Sequence, residues 1–204
     1  MNIPQIHSSI TFTSEWLIHR PYVYRYLQRE YVDAFFESGE LRLSSYNHFA
    51  KHTDEQRHDS GEGMVVLADR DPEGKSAASA VFRLGMSAFV LCGSSYYSSD
   101  LGKVFGTESG FRINDTAMFA MEVSKYLPGF RKGVEGLCLY LPARVLHRTT
   151  GTINVDAMRD SPDSENLNMN KMANLVSQSA GIEPYFMKPS TYAHQSEYRL
   201  LWVC

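Results

Sequence analysis

The chain has 204 residues, 43% hydrophobic and 12% aromatic, with a formal net charge of -3. That composition excludes a disordered or fibrous chain, and one domain with a core of its own is expected. The slightly acidic balance gives no global pull toward nucleic acid or an anionic membrane, although a local basic patch is compatible with it, and no segment approaches the ~18 apolar residues of a membrane span.

In chain order, Tyr22 to Leu27 is aromatic and β-branched and predicts a strand. Glu30 to Ser38 predicts a helix with Tyr31, Ala34, Phe35 and Phe36 as its apolar stripe. Gly39 ends it, because glycine tolerates the left-handed conformation of a C-terminal cap. Glu40 to Ser45 alternates as a second strand, with Ser44 and Ser45 at its exit. Residues 46–63 form a polar segment carrying His48, His52, Asp54, Glu55, Arg57, His58, Asp59 and Glu62. Met64 to Leu67 predicts a short strand, and Asp69 to Ser79 a surface loop. The apolar stretch from Val81 to Ser94 predicts two strands divided at Gly85.

Ser98 to Phe105 predicts a short helix stopped by Gly106, and Phe111 to Ile113 a strand. Asp115 is placed to cap a helix running to about Leu127. Leu137 to Leu141 predicts a strand, Met158 to Asn168 a polar loop, and a helix ends near Ser179 before Gly181. Strands outnumber helices and no regular βαβ alternation is present. The expected fold is therefore one α+β domain over residues 1–204, a mixed or antiparallel sheet with short peripheral helices. No G-x-G-x-x-G follows a strand and no G-x-x-x-x-G-K-[ST] occurs, which removes the dinucleotide fingerprint and the P-loop.

The three cysteines, Cys92, Cys138 and Cys204, lack metal-ligand spacing and read as reduced thiols. The first five residues show no basic segment leading into an apolar stretch, so a cytoplasmic protein is expected.

The last residues carry the strongest chemical signal. Tyr198, Leu200 and Trp202 alternate with Arg199, Leu201 and Val203, as in a strand. Period 2 then places Gln195 and Glu197 on one face at the strand mouth. A carboxylate beside a carboxamide suits a site that holds a sugar and stabilises developing positive charge. The ordinary alternative is a solvated strand-end charge paired with Arg199 or a cross-strand partner.

Several ordered segments carry a resemblance. Val23-Tyr24-Arg25-Tyr26 is followed by Phe35-Phe36-Glu37-Ser38-Gly39-Glu40-Leu41-Arg42-Leu43, and Tyr192-Ala193-His194-Gln195-Ser196-Glu197-Tyr198-Arg199 closes the chain. This order resembles the ADP-ribosyltransferase superfamily, in which a strand bearing His or Arg, a helix, a glycine and a second strand precede a final strand bearing the catalytic Glu. Short bacterial proteins of an uncharacterised family share the plan, with an acidic loop after the second strand, an apolar strand ending in Cys-x-Ser, and a terminal Glu-Tyr-Arg strand. The resemblance spans most of residues 22–203.

It implies a split sheet with a cleft between its halves, and NAD as cofactor without a metal. Glu197 would bind the nicotinamide-ribose hydroxyl, Arg25 a phosphate or ribose, and Gln195 would face the acceptor. Tyr24, Tyr26, Ser44, Ser45, Ser94 and Ser95 would contribute to the dinucleotide site, with Gly93-Ser94-Ser95 and Ser44-Ser45-Tyr46 competing for the middle motif. The implied activity is transfer of ADP-ribose to an intracellular nucleic acid or protein, as a bacterial toxin or phage-defence effector restrained by an antitoxin or chaperone partner. No membrane role is implied. Gln195 in place of a second Glu argues against arginine as acceptor, since an amide orients a guanidinium poorly.

Two other classes stay open. His48, His52 and the His58-Asp59 pair could ligate zinc or manganese in a metal-dependent nuclease or phosphohydrolase. Alternatively the domain is an inactive nucleotide-binding module whose tyrosines, Tyr22, Tyr24, Tyr26 and Tyr31, stack a base.

Overall fold

Alternation along the last strand organises the molecule. Strand β11 (Glu197–Val203) is buried at every position except its last. Tyr198, Leu200 and Trp202 face one core, with Val23, Leu91 and Ile113, while Leu201 faces another, with Tyr46, Ala88 and Val90. A strand buried on both faces belongs inside a sheet. β11 pairs antiparallel with β5 (Ala88–Ser94) along one edge and with β7 (Lys132–Leu137) along the other. The computed structural model describes residues 22–46, 48, 61–70, 76–83, 88–148, 156–161 and 163–204.

The second edge of β5 is shared by two strands. β1 (Val23–Tyr26) meets it at Ser94 through Tyr24, and β2 (Ser44–Ser45) meets it at Val90 and Phe89. Between them the Arg25 guanidinium donates from Nη1 to the Cys92 carbonyl. β6 (Gly110–Ile113) adds to the outer edge of β1, and all pairings in this six-stranded sheet are antiparallel.

Helix α1 (Arg29–Ser38) and helix α3 (Thr116–Ser124) bring their rings to one face of this sheet. Phe35 stacks on Phe111 at 4.7 Å between centroids, and Trp202 Nε1 donates to the Ala120 carbonyl at 3.0 Å. Helix α2 (Ser99–Val104) follows β5, and helix α4 (Met169–Ala180) precedes the final strands. Among the described residues two smaller sheets are also present. β3 (Met64–Arg70) lies between β4 (Ser76–Arg83, antiparallel) and β9 (Val145–Arg148, parallel). β10 (Met187–Pro189) pairs in parallel with β8 (Leu139–Leu141). Val65, Leu67, Leu146, Met158 and Met187 pack together beneath them. The architecture is α+β, and among the described residues no helix is long and apolar enough to cross a membrane.

The expected helix and its glycine stop are present, with Gly39 at φ 75°. Its buried residue is Val32, however, while Phe36 and Tyr31 are 67% and 46% exposed. Of the second predicted strand only Ser44–Ser45 pairs. Asp69 and Arg70 belong to β3 and Ser76–Ser79 to β4, so the predicted 69–79 loop is largely strand. Its polar and small residues lack the β-branched and aromatic enrichment that marks a strand. The predicted 137–141 strand is two strands in different sheets: Leu137 pairs with Tyr198 and Leu139 with Met187.

Gly110 makes the cleft-bearing strand possible. A Cβ there would overlap the Arg25 carbonyl oxygen and lie 3.4 Å from the Tyr26 Cα. The glycine lets β6 close on β1 directly behind Arg25. Gly110→Ala is expected to cost about 1–3 kcal/mol through overpacking, read as a lowered urea midpoint, and to displace Arg25.

Candidate active site

The gap between β1 and β2 opens into a cleft of about 550 Å³. Arg25, Tyr26, Ser44, Ser94, Gln195 and Glu197 all line it, with His48 and the rings of Phe35, Phe105 and Phe111. The chain enters its floor through a sharp reversal. A 3₁₀ turn over Ser190–Gln195 ends at Ser196, whose φ of 41° and ψ of 51° are left-handed. For a residue with a Cβ this conformation costs roughly 1–2 kcal/mol. The turn is held by Ser196 N donating to the Ala193 carbonyl (3.1 Å) and Ser95 N donating to the Ser196 carbonyl (2.9 Å). Gln195 therefore belongs to the turn, not to β11. The two side chains converge because Ser196 reverses the chain, not because strand alternation aligns them.

Beneath the cleft lies a buried ionic cluster. Glu197, Lys188, Arg199 and Glu62 are 6%, 7%, 1% and 2% exposed. Arg199 Nε donates to Glu197 Oε1 at 2.6 Å, and its Nη1 donates to Glu62 Oε1 and to the Tyr185 carbonyl, each at 2.7 Å. Lys188 Nζ donates to Glu197 Oε2 and, at 2.8 Å, to Gln195 Oε1. The Glu197 backbone N–H donates to the Tyr140 hydroxyl at 2.6 Å. The Tyr46 ring lies 5.7 Å from the Arg199 guanidinium, and its hydroxyl donates to the Tyr185 carbonyl. Such a cluster tolerates burial only because each charge meets its counter-charge at hydrogen-bond distance.

Burial by itself would raise the Glu197 pKa. Arg199 and then Lys188 override that and hold the carboxyl well below its ordinary 4.5. Burial would lower Lys188, but the Glu197 charge holds its ammonium above the ordinary value. The two directions agree on an intact ion pair. Burial pushes the Cys92 and Cys138 thiols upward, so neither is a thiolate nucleophile at neutral pH. A carboxyl whose pKa is depressed by folding stabilises the fold above its unfolded pKa. That contribution disappears as pH falls below 4.5 toward the lower native value. The urea midpoint is therefore expected to fall as pH drops through 4.5, with a shallower fall in Glu197→Gln.

Of the residues singled out from the sequence, the cleft gathers Arg25, Tyr26, Ser44, Ser94, Gln195 and Glu197. Tyr24, Ser45 and Ser95 lie off its lining. Tyr24 packs on Tyr97 at 5.7 Å, the Ser45 hydroxyl accepts from His48 N at 3.3 Å, and Ser95 serves the turn through its backbone N–H. Of the proposed metal set, His48 lines the cleft, 3.5 Å from Arg42. His52, Asp54, His58 and Asp59 lie outside the described residues. Among the described residues no group of three or more His, Cys, Asp or Glu side chains could hold a metal ion.

Lys188, Tyr140 and the pairing of Arg199 with Glu62 were not foreseen. One signal was available for Lys188: a lysine directly after the apolar Phe186 and Met187 and before Pro189. No protein-family model, no curated protein and no solved structure matches the chain.

Proposed function

We propose that the chain is an NAD-dependent ADP-ribosyltransferase on an ADP-ribosyltransferase-like split sheet, acting on an intracellular nucleic acid or protein. One observation carries this reading: Glu197 faces the cleft as an ionised carboxylate with both oxygens engaged by cations. Such a group has no proton to give a leaving group. Cleavage of ordinary glycosides needs that proton. The pyridinium of NAD does not, because nicotinamide leaves neutral when its bond electrons return to the ring nitrogen.

The remaining lining fits the same substrate. Arg25, Arg42, Lys188 and Arg199 outnumber the carboxylates Glu40, Glu62 and Glu197 among the described lining residues. The cleft thus keeps residual positive charge for a pyrophosphate. Arg25, with Nη1 on the Cys92 carbonyl, brings a guanidinium charge suited to phosphate, and the mutually packed Tyr26 and Phe105 line the cleft with aromatic surface on which a base could lie. In the proposed reaction a ribose hydroxyl donates to Glu197. As the C–N bond breaks, positive charge grows on the anomeric carbon and ring oxygen, where the carboxylate stabilises it. The acceptor's nucleophile then bonds to that carbon and releases its proton to solvent.

A bacterial strain expressing the protein tests this with isotope-labelled ADP-ribose traced into separated protein, RNA and DNA. Label in one fraction and growth arrest, both lost in Glu197→Gln, are expected of a toxin or defence effector. Absence of labelled macromolecules would oppose the transferase. A second reading, an inactive nucleotide-binding module, is favoured by the Lys188 contact, which takes an oxygen that a ribose hydroxyl would use. It predicts saturable ADP-ribose binding without nicotinamide release.

A further inference from the structure

Gln195 and Glu197 belong to different backbone elements, a 3₁₀ turn and a strand, joined by the left-handed Ser196. The backbone alone does not lock the distance between their side chains. Lys188 Nζ touches both, at Gln195 Oε1 and Glu197 Oε2. We propose that Lys188 is a positioning residue which fixes the Gln195–Glu197 pair at the cleft floor. This rests on the transferase reading for its catalytic consequence, but not for the contact itself.

Three observations support the assignment. First, Lys188 is held from behind. Met187 is fully buried, and β10 pairs with β8 so that Lys188 lies opposite Tyr140. Tyr140 in turn accepts from the Glu197 backbone N–H, so one strand pair fixes both the ammonium and the strand end it reaches. Second, Lys188 brings a second cation to Glu197, whose other oxygen is held by Arg199, itself shared with Glu62. Third, burying this ion pair is costly to the fold, since a well-packed apolar replacement of a whole buried pair is often neutral or stabilising. The placement of Lys188 at 4.9 Å over the Tyr192 ring, part of the same turn, points to a role in organising that turn. The amide oxygen of Gln195 and one carboxylate oxygen of Glu197 are thereby drawn to a single point, and Glu197 cannot rotate away as charge develops.

The contact and its consequence are read separately. Protein labelled with [15N]lysine is examined for ammonium resonances. One signal that exchanges slowly with water is expected, absent in Lys188→Met and shifted in both Gln195→Ala and Glu197→Gln. In parallel, nicotinamide release from NAD and binding of ADP-ribose are measured. Lys188→Met is expected to lower kcat about 10²-fold with ADP-ribose affinity changed by less than about threefold, and Lys188→Arg to recover most of the rate.

A missing slow ammonium signal, or one unmoved by Gln195→Ala, would overturn the bridge. A wild-type kcat in folded Lys188→Met would overturn the positioning role, as would a loss of rate matched by lost ADP-ribose affinity and a lowered melting temperature. A wild type that shows the ammonium signal but releases no nicotinamide would remove the transferase reading and, with it, the catalytic role of Lys188. The bridge itself would stand.

Discussion

Arg199→Met is expected to destabilise the protein by about 3–5 kcal/mol, because it leaves buried carboxylates without their shared cation. Arg199 is 1% exposed and reaches Glu62, Glu197 and the Tyr185 carbonyl. Methionine keeps much of the volume but none of the donors. Removing the Glu62 charge as well tests the cause: Glu62→Gln/Arg199→Met leaves Glu197 balanced by Lys188 and should regain a large part of the loss, since the cost lies in unpaired charge and not in lost volume. Urea denaturation of the single and double variants measures both. Equal destabilisation of the two would place the effect in packing instead.

Glu197→Gln is expected to lower nicotinamide release by about 10²–10³, the usual cost of one electrostatic contact to a transition-state charge. The substitution is not structurally silent, however. It keeps the shape of the side chain but leaves Lys188 and Arg199 opposite an amide, with Glu62 as the nearby carboxylate. A loss of rate therefore counts only if the variant remains folded and binds ADP-ribose. The charge-balanced Lys188→Met/Glu197→Gln variant separates the two effects. It should be more stable than Glu197→Gln and equally inactive. Recovery of turnover in that variant would place the essential charge elsewhere in the cleft.

The sequence displayed what local pattern can encode. The β11 alternation, the Gly39 stop and the Asp115 cap each depend on residues within one turn or strand, and each is present. Arg25 and Glu197 were legible for the same reason, as charges embedded in β-patterned runs. Lys188 was not. Its strand has three residues, too few to show a period, and its partner strand β8 is distant in the chain. Glu62 read as one more charge in a polar segment, because only the folded chain brings it to Arg199 across the molecule. Strand alternation predicts Gln195 beside Glu197; the two meet on Lys188 because the left-handed Ser196 separates the Gln195 turn from the strand. A positive φ at a serine has no sequence signature comparable to that of glycine.

The central claim is that an ionised Glu197 in this cleft breaks the bond between nicotinamide and ribose. Purified protein incubated with NAD in the presence of a chelator, with and without cell lysate, measures it through released nicotinamide. Release by the wild type that is about 10² or more faster than by folded Glu197→Gln is predicted. No release under either condition, or an activity that requires a divalent metal and ignores NAD, would contradict it.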